Sequence, residues 1–506
     1  MTSSKGQEAA SPATKLGRKA VDAWLKGEPK VVASLPTYRR EDVHSGIVHI
    51  GVGGFHRAHM AVYLHQLMQK KVFDWGICGI GLLPSDAGMR DALRGQDYLY
   101  TVVERSADGE KAHVVGSIVD YLLAADGPEK IIAKMADKAT RIVSLTITES
   151  GYFCNESTGE LDHEHPDIAH DLKDLAHPKT VYGYLTLALE RRQQQGRKPF
   201  TLLSCDNLQQ NGTLLRKMLL SFVRQVKPEL AQWLADQGAF PNTMVDRITP
   251  RTTVADREML ANHFGIDDAW PVVTEPFMQW IIEDEFCDGR PPWEEVGAQF
   301  VKNVEAYEMM KLRLLNASHS AMGYLGYLAG FQYIHEIIDD PQFRRYIKAM
   351  MATEVRPLLP EVPGIDLDIY CETLVTRFSN PTIMDQATRI CMHGSGKMPK
   401  FILPSICDQV KQKGPMRLLT LCVASWFRYL TGKDEQGRAF TIDDPMAQEL
   451  QARAEEGGAN PRMLMATPGL FPDSLKNSTA FEAVLREALE RLYQHGARAT
   501  LAHYQE

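Results

Sequence analysis

Residues 47–70 read IVHIGVGGFHRAHMAVYLHQLMQK. A β-branched apolar run stops at glycines, and the chain restarts with helical spacing. Strand, glycine turn and helix in that order commit this region to a layered α/β fold, because such a unit buries its strand only inside a sheet covered by helices. Gly51 permits the tight turn, and Gly53 lets the backbone approach a pyrophosphate. The place of the usual third glycine is taken by His56, so the GxGxxG fingerprint is incomplete and close packing falls to Gly54 and Ala58. The turn reads as a dinucleotide site, with Ile50, Gly51, Gly53, Gly54, Phe55, Arg57 and Ala58 as candidate cofactor-binding residues. A strand-ending turn without a ligand is the plainer alternative.

A second strand, WGICGIGL, leads to PSDAGMR and offers Asp86 as the acid that binds the adenosine ribose. A carboxylate there repels a 2′-phosphate and favours NAD over NADP. The competing reading makes Asp86 only a helix cap, and Arg90 nearby would suit NADP.

Strand-like and helix-like segments alternate through the first half, which predicts a mainly parallel sheet with helices on both faces. Beyond about residue 295 strand signals thin out and helical spacing dominates. The expected organisation is an extension over 1–44, a dinucleotide-binding α/β domain over 45–295 and a mostly α-helical domain over 296–506, with a ligand cleft between the domains. A chain of 506 residues is too long for one ordinary core.

The formal net charge of −8 argues against a nucleic-acid partner, and no run reaches the roughly 18 apolar residues that span a bilayer. The eight cysteines form no CxxC pair, as expected of reduced thiols in a cytoplasmic protein. The opening MTSSKGQEAASPATKLGRK has no apolar signal core and reads as a disordered leader.

KLRLLNASHS, residues 311–320, places an amine, an amide and an imidazole on an otherwise apolar helix. At 100° per residue Lys311, His319 and Asn316 fall at about 0°, 80° and 140°. A satisfied buried network, or a lysine that snorkels to water, would explain them. So would catalysis. Oxidising an alcohol by hydride transfer needs a base for the hydroxyl proton and donors for the developing alkoxide. Lys311 suits the first task if burial and nearby positive charge lower its pKa; Asn316 suits the second. Glu308, one turn before Lys311, reads equally as a proton carrier or as a solvated acid in an i, i+3 ion pair. Asp206 and Asn207 in SCDN, and Asp246 in TMVD, fall where strands meet their loops, the ligand-binding edge of open α/β sheets. Each could equally be a turn residue or cap.

IVHIGVGGFHRAH, SLTITESGY, SCDNLQQNG, FPNTMVDRITP, WPVVTEPF, KLRLLNASHS and RFSNPTIMDQATRI together resemble the polyol-specific long-chain dehydrogenases and reductases. The resemblance runs from about residue 45 to about residue 500. It is greatest to the branch that interconverts D-mannitol and D-fructose, in its fungal wording. It implies a Rossmann-type first domain, a helical second domain, NAD as cofactor, no catalytic zinc and a monomer acting on a small polyol or ketose. It also implies Lys311 as general acid–base, Asn207 and Asn316 as the oxyanion-binding pair, and His319 as a substrate contact that orients Lys311. Asp246, Arg389 and Lys397 are implied as substrate contacts. CMHGSGK departs from the DGSSK of many relatives, with His393 and Gly396, and NASHS has Ala317 where glycine is frequent.

Other readings stay in play. The same scaffold serves D-arabinitol dehydrogenases and fructuronate or tagaturonate reductases, and Arg389 and Lys397 would meet a uronate carboxylate. His163, His165 and His170 could make a metal hydrolase, although their spacing fits no metal motif. A non-catalytic NAD-binding regulator would need no Lys311, Asn207 and Asn316.

Overall fold

A computed structural model describes residues 13–28, 31–155 and 158–504. The chain divides into two compact units, Met1–Val304 and Glu305–Glu506.

The first unit is built on five parallel strands: β1 (Ser45–Ile50), β2 (Gly76–Gly81), β3 (Ile118–Leu123), β4 (Ile142–Leu145) and β5 (Thr201–Ser204). Their order across the sheet is β3-β2-β1-β4-β5. Successive side chains of these apolar strands enter different cores. Ile47, Ile77 and Ile142 pack with Ala61, Leu64 and Leu67 of α1 (Met60–Gln69) and with Met89 and Leu93 of α2 (Ala87–Arg94). Val48, Cys78 and Val143 pack with α3 (Pro128–Ala136), α4 (Val181–Gln194) and α5 (Asn211–Val226). Both faces are therefore covered, as the continuous apolar runs require. The result is a doubly wound, Rossmann-type sheet.

Two sequence expectations are corrected here. β6 (Thr243–Asp246), the TMVD strand, lies outside the parallel sheet; it pairs antiparallel with β7 (Gln279–Glu283) in a three-stranded sheet. Residues 100–106, which strand–helix alternation also assigns to the parallel sheet, instead pair antiparallel in a hairpin, Tyr100–Ser106 against Gly109–Val115. Short strands do not carry their pairing partner in their own pattern.

The leader is also more structured than its composition predicts. Residues 1–12 lie outside the described residues, but Thr14–Lys15 pairs in parallel with Ile266–Asp267, and helix Arg18–Leu25 follows. Leu16, Val21 and Trp24 are buried against Leu99, Val103, Val114, Leu260 and Val273. The apolar face of that short helix is what anchors it.

The second unit is helical. α6 (Glu305–Met310) runs into a π-helical turn, Lys311–Asn316, and on into α7 (Ala317–Leu328). α7 is buried on nearly every side, packed against α8 (Ala387–Cys391), α9 (Arg417–Tyr429) and α10 (Thr479–His503). That explains why AMGYLGYL carries no polar stripe.

Candidate active site

The loops that follow the five parallel strands all leave the carboxyl edge of the sheet. Gly51 has φ +88°, and a Cβ there would meet the Thr146 carbonyl oxygen at 2.1 Å, so only glycine fits. Gly53 differs: a Cβ would find nothing closer than the Gly51 oxygen at 4.0 Å. The protein leaves space beside that backbone, which is what a diphosphate needs. Gly54 has only an ordinary contact, to Thr249, while Ala58 is fully buried and supplies the close packing alone.

The remaining residues of the turn face inward. Ile50 is buried in the core, and its carbonyl accepts the Thr146 N–H at 3.0 Å. Phe55 stacks on His59, ring centres 4.9 Å apart. Buried Arg57 donates to the Trp270 carbonyl, and its guanidinium lies over the Tyr100 ring. His56, in place of the third glycine, stacks on His49 at 3.4 Å. His49 in turn bonds Ser144 Oγ at 2.9 Å and Thr146 Oγ1 at 3.0 Å. Burial holds the pKa of both imidazoles far below the usual value, His49 to about 3, so both are neutral.

Asp86 ends a short 3₁₀ turn after β2. Its carboxylate accepts the Leu83 N–H at 2.9 Å and so caps the 3₁₀ turn, while it makes no cap hydrogen bond to α2. Arg90 is held by Asp91 and Asp126.

β5 delivers Asp206 and Asn207. Asn207 is exposed at the strand end, while Asp206 is 7% exposed. Asp206 accepts the Ile147 N–H at 3.1 Å, the Thr148 N–H at 2.8 Å and the Tyr152 hydroxyl at 2.9 Å. Burial raises its pKa and these donors oppose the rise. Sequence reasoning misses this clamp; SLTITESGY and SCDN both stand out, but nothing in either names the other. Asp246 is buried at the end of β6, in register with Gln279.

In the second unit Lys311 and Asn316 are 7% and 9% exposed and bound the π-helical turn. A π turn closes i to i+5 hydrogen bonds, so its first and sixth residues align along the helix. The wheel drawn at 100° per residue set them about 140° apart and is corrected on that point. Glu308 is 3% exposed, which overturns the solvated-acid alternative. His319 lies 4.7 Å from the Phe378 ring. Arg389 is held by a bidentate pair with Asp385, both bonds 2.7 Å, and Lys397 Nζ donates to the Ile390 carbonyl at 2.9 Å. His393 takes the left-handed conformation before the helix that carries Lys397.

The sequence matches the mannitol dehydrogenase Rossmann domain over residues 45–295 and the mannitol dehydrogenase C-terminal domain over 303–493. This chain belongs to the mannitol dehydrogenase family. As a member of the mannitol dehydrogenase family it is an oxidoreductase, with a Rossmann-type domain followed by a helical one. It is 57% identical to a mannitol 2-dehydrogenase of Aspergillus oryzae over 94% of this chain and 96% of that one. A Phaeosphaeria nodorum mannitol 2-dehydrogenase is 56% identical over 97% and 88%. The Pseudomonas fluorescens mannitol 2-dehydrogenase, solved as a ternary complex with NAD and D-mannitol, superposes with a TM-score of 0.88 at 45% identity, covering 97% of this chain and 99% of that one. A substrate-free D-sorbitol dehydrogenase gives 0.87 at 35%, covering 96% and 100%.

The histidines of the hydrolase reading have local partners. His163 bonds Ser221, His165 accepts the Asp167 N–H, and His170 bonds Asp171. No helix among the described residues is long and apolar enough to cross a membrane.

Proposed function

We propose that this protein is an NAD-dependent mannitol 2-dehydrogenase that interconverts D-mannitol and D-fructose with a lysine, rather than a metal ion, as its acid–base group. The observation that carries this reading is the buried alignment of Lys311 with Asn316 across one π-helical turn. It supports an amine and an amide on one side of the helix, the two groups that alcohol oxidation asks for.

Gly51 and Gly53 would hold the cofactor diphosphate, and Asp86 the adenosine ribose hydroxyls. When bound, NAD supplies the hydride acceptor for oxidation and the donor for reduction. Lys311 Nζ takes the hydroxyl proton of the polyol and returns it in ketose reduction. Asn207 and Asn316 donate to the oxygen as it becomes an alkoxide. His319 fixes a neighbouring hydroxyl and orients Lys311. Glu308, three residues before Lys311 and equally shielded, passes the proton between Lys311 and water. Asp246, Arg389 and Lys397 bind the polyol chain. The Asp385 carboxylate already neutralises Arg389, which weighs against that residue, though not against Lys397, as the partner of a uronate carboxylate.

The test is NADH formation over mannitol, arabinitol, sorbitol and xylitol, with and without EDTA. Mannitol should give the highest kcat/KM, and EDTA should change nothing. A preference for arabinitol, or inactivation by EDTA, would overturn the assignment.

A further inference from the structure

The strand order reverses between β1 and β4, because β2 and β3 lie on one side of β1 and β4 and β5 on the other. An open α/β sheet binds its ligand outside the carboxyl ends of the strands at such a point. One wall of that crevice is the glycine turn. The other is the loop after β4, residues 146–150. The two are tied together: Thr146 Oγ1 donates to the Gly51 carbonyl at 2.6 Å.

This second wall does not have a relaxed shape. Thr148 has φ +60° and ψ 174°. For a β-branched residue that is a true outlier, and such strain persists only where surroundings impose it. Here the imposing group is Asp206. One carboxylate oxygen takes the Thr148 N–H, and the other takes the Ile147 N–H and the Tyr152 hydroxyl. Held this way, Thr148, Glu149 and Ser150 are exposed, with the two hydroxyls 3.2 Å apart. From the diphosphate at β1, Asp86 draws the adenosine half toward β2. The opposite direction, toward β4, leads to residues 148–150.

We propose that Asp206 is a positioning residue that holds the Thr148 turn against the glycine turn, so that residues 148–150 form the wall for the nicotinamide-ribose half of the cofactor. The proposal rests on the NAD reading above. It separates Asp206 from its neighbour Asn207, which is assigned to the substrate oxygen.

Two substitutions in the full chain test it. Asp206→Asn keeps the size of the side chain but replaces one accepting oxygen with an amide N–H₂, which can only donate. Thr148→Gly relieves the positive φ and frees the turn while keeping Asp206. The measurements are KM for NAD, kcat, melting temperature and the inhibition constant of ADP, which lacks the nicotinamide ribose. Asp206→Asn should raise KM for NAD at least tenfold while the ADP constant stays within twofold. Thr148→Gly should raise KM for NAD severalfold at an equal or higher melting temperature. A purely structural role would move NAD and ADP together, and that result, or an unchanged KM in both variants, would overturn the proposal. A wild-type chain that binds neither NAD nor ADP in calorimetry would instead overturn the cofactor reading on which it stands.

Discussion

Lys311 and Asn316 stand at the two ends of a single π-helical turn, five residues apart. In an α-helix five steps leave two side chains on different faces. The wider turn aligns them, and π-bulges of this kind gather at functional sites.

Lys311→Ala should abolish most turnover and leave NAD affinity nearly intact, because Lys311 handles a proton and not the cofactor. Added primary amines should restore part of the rate. Steady-state kinetics beside NAD titration checks both, and near-normal turnover would refute the assignment.

Asn207→Ala and Asn316→Ala should each slow turnover by about 10²–10³, the usual cost of one lost oxyanion donor. If both amides serve one alkoxide, the double variant will fall short of the product of the two effects. Full multiplicativity in a double-mutant cycle would assign them to separate tasks.

Asp86→Ala should raise kcat/KM for NADP relative to NAD, since the carboxylate both accepts the ribose hydroxyls and repels a 2′-phosphate. Its bond to the Leu83 N–H means the turn will loosen as well, lowering efficiency with both cofactors. The ratio of the two efficiencies is the deciding quantity.

Glu308→Gln should shift the pH profile of mannitol oxidation and slow proton release, read with a pH indicator in single-turnover experiments. Removing a buried acid beside a buried amine alters the path of the proton more than it alters the fold. An unchanged profile and release rate would leave Glu308 as a structural residue.

His65 reports on stability against pH. Burial holds its folded pKa at about 3, against the ordinary 6.5. Below pH 6.5 the unfolded chain takes up a proton that the folded chain refuses, so stability is complete above 6.5 and is lost as pH falls toward 3. From pH 7 to 5 this one histidine should cost about 2 kcal/mol. Denaturant titrations of wild type and His65→Gln at both pH values should differ by that amount in their pH dependence. An equal dependence would contradict it.

Much of the fold and of the site is legible in the amino-acid sequence. β1 and its glycine turn show there because β-branched residues, glycines and helical spacing are local signals. The lysine, amides and imidazole stand out against apolar neighbours for the same reason. The π turn does not: apolar spacing tolerates one extra residue, so 311–316 reads like any other helix. The Asp206 clamp is hidden because its donors, Ile147 and Thr148, are backbone groups some sixty residues earlier. The antiparallel pairing of β6 is hidden likewise, since its partner strand begins at Gln279.

The helix Arg18–Leu25 has a consequence during synthesis. Its buried face, with Val21 and Trp24, is completed by Leu260, Ile266 and Val273, and the strand just before it pairs with Ile266–Asp267. On the ribosome those partners emerge only after most of the first unit has been made. At roughly 5–20 residues per second, that wait is tens of seconds. Until then Leu99, Val103 and Val114 can cover only part of the helix's apolar face, and the remainder stays open to a holding chaperone. The α/β unit completes the burial of this helix late in its own synthesis.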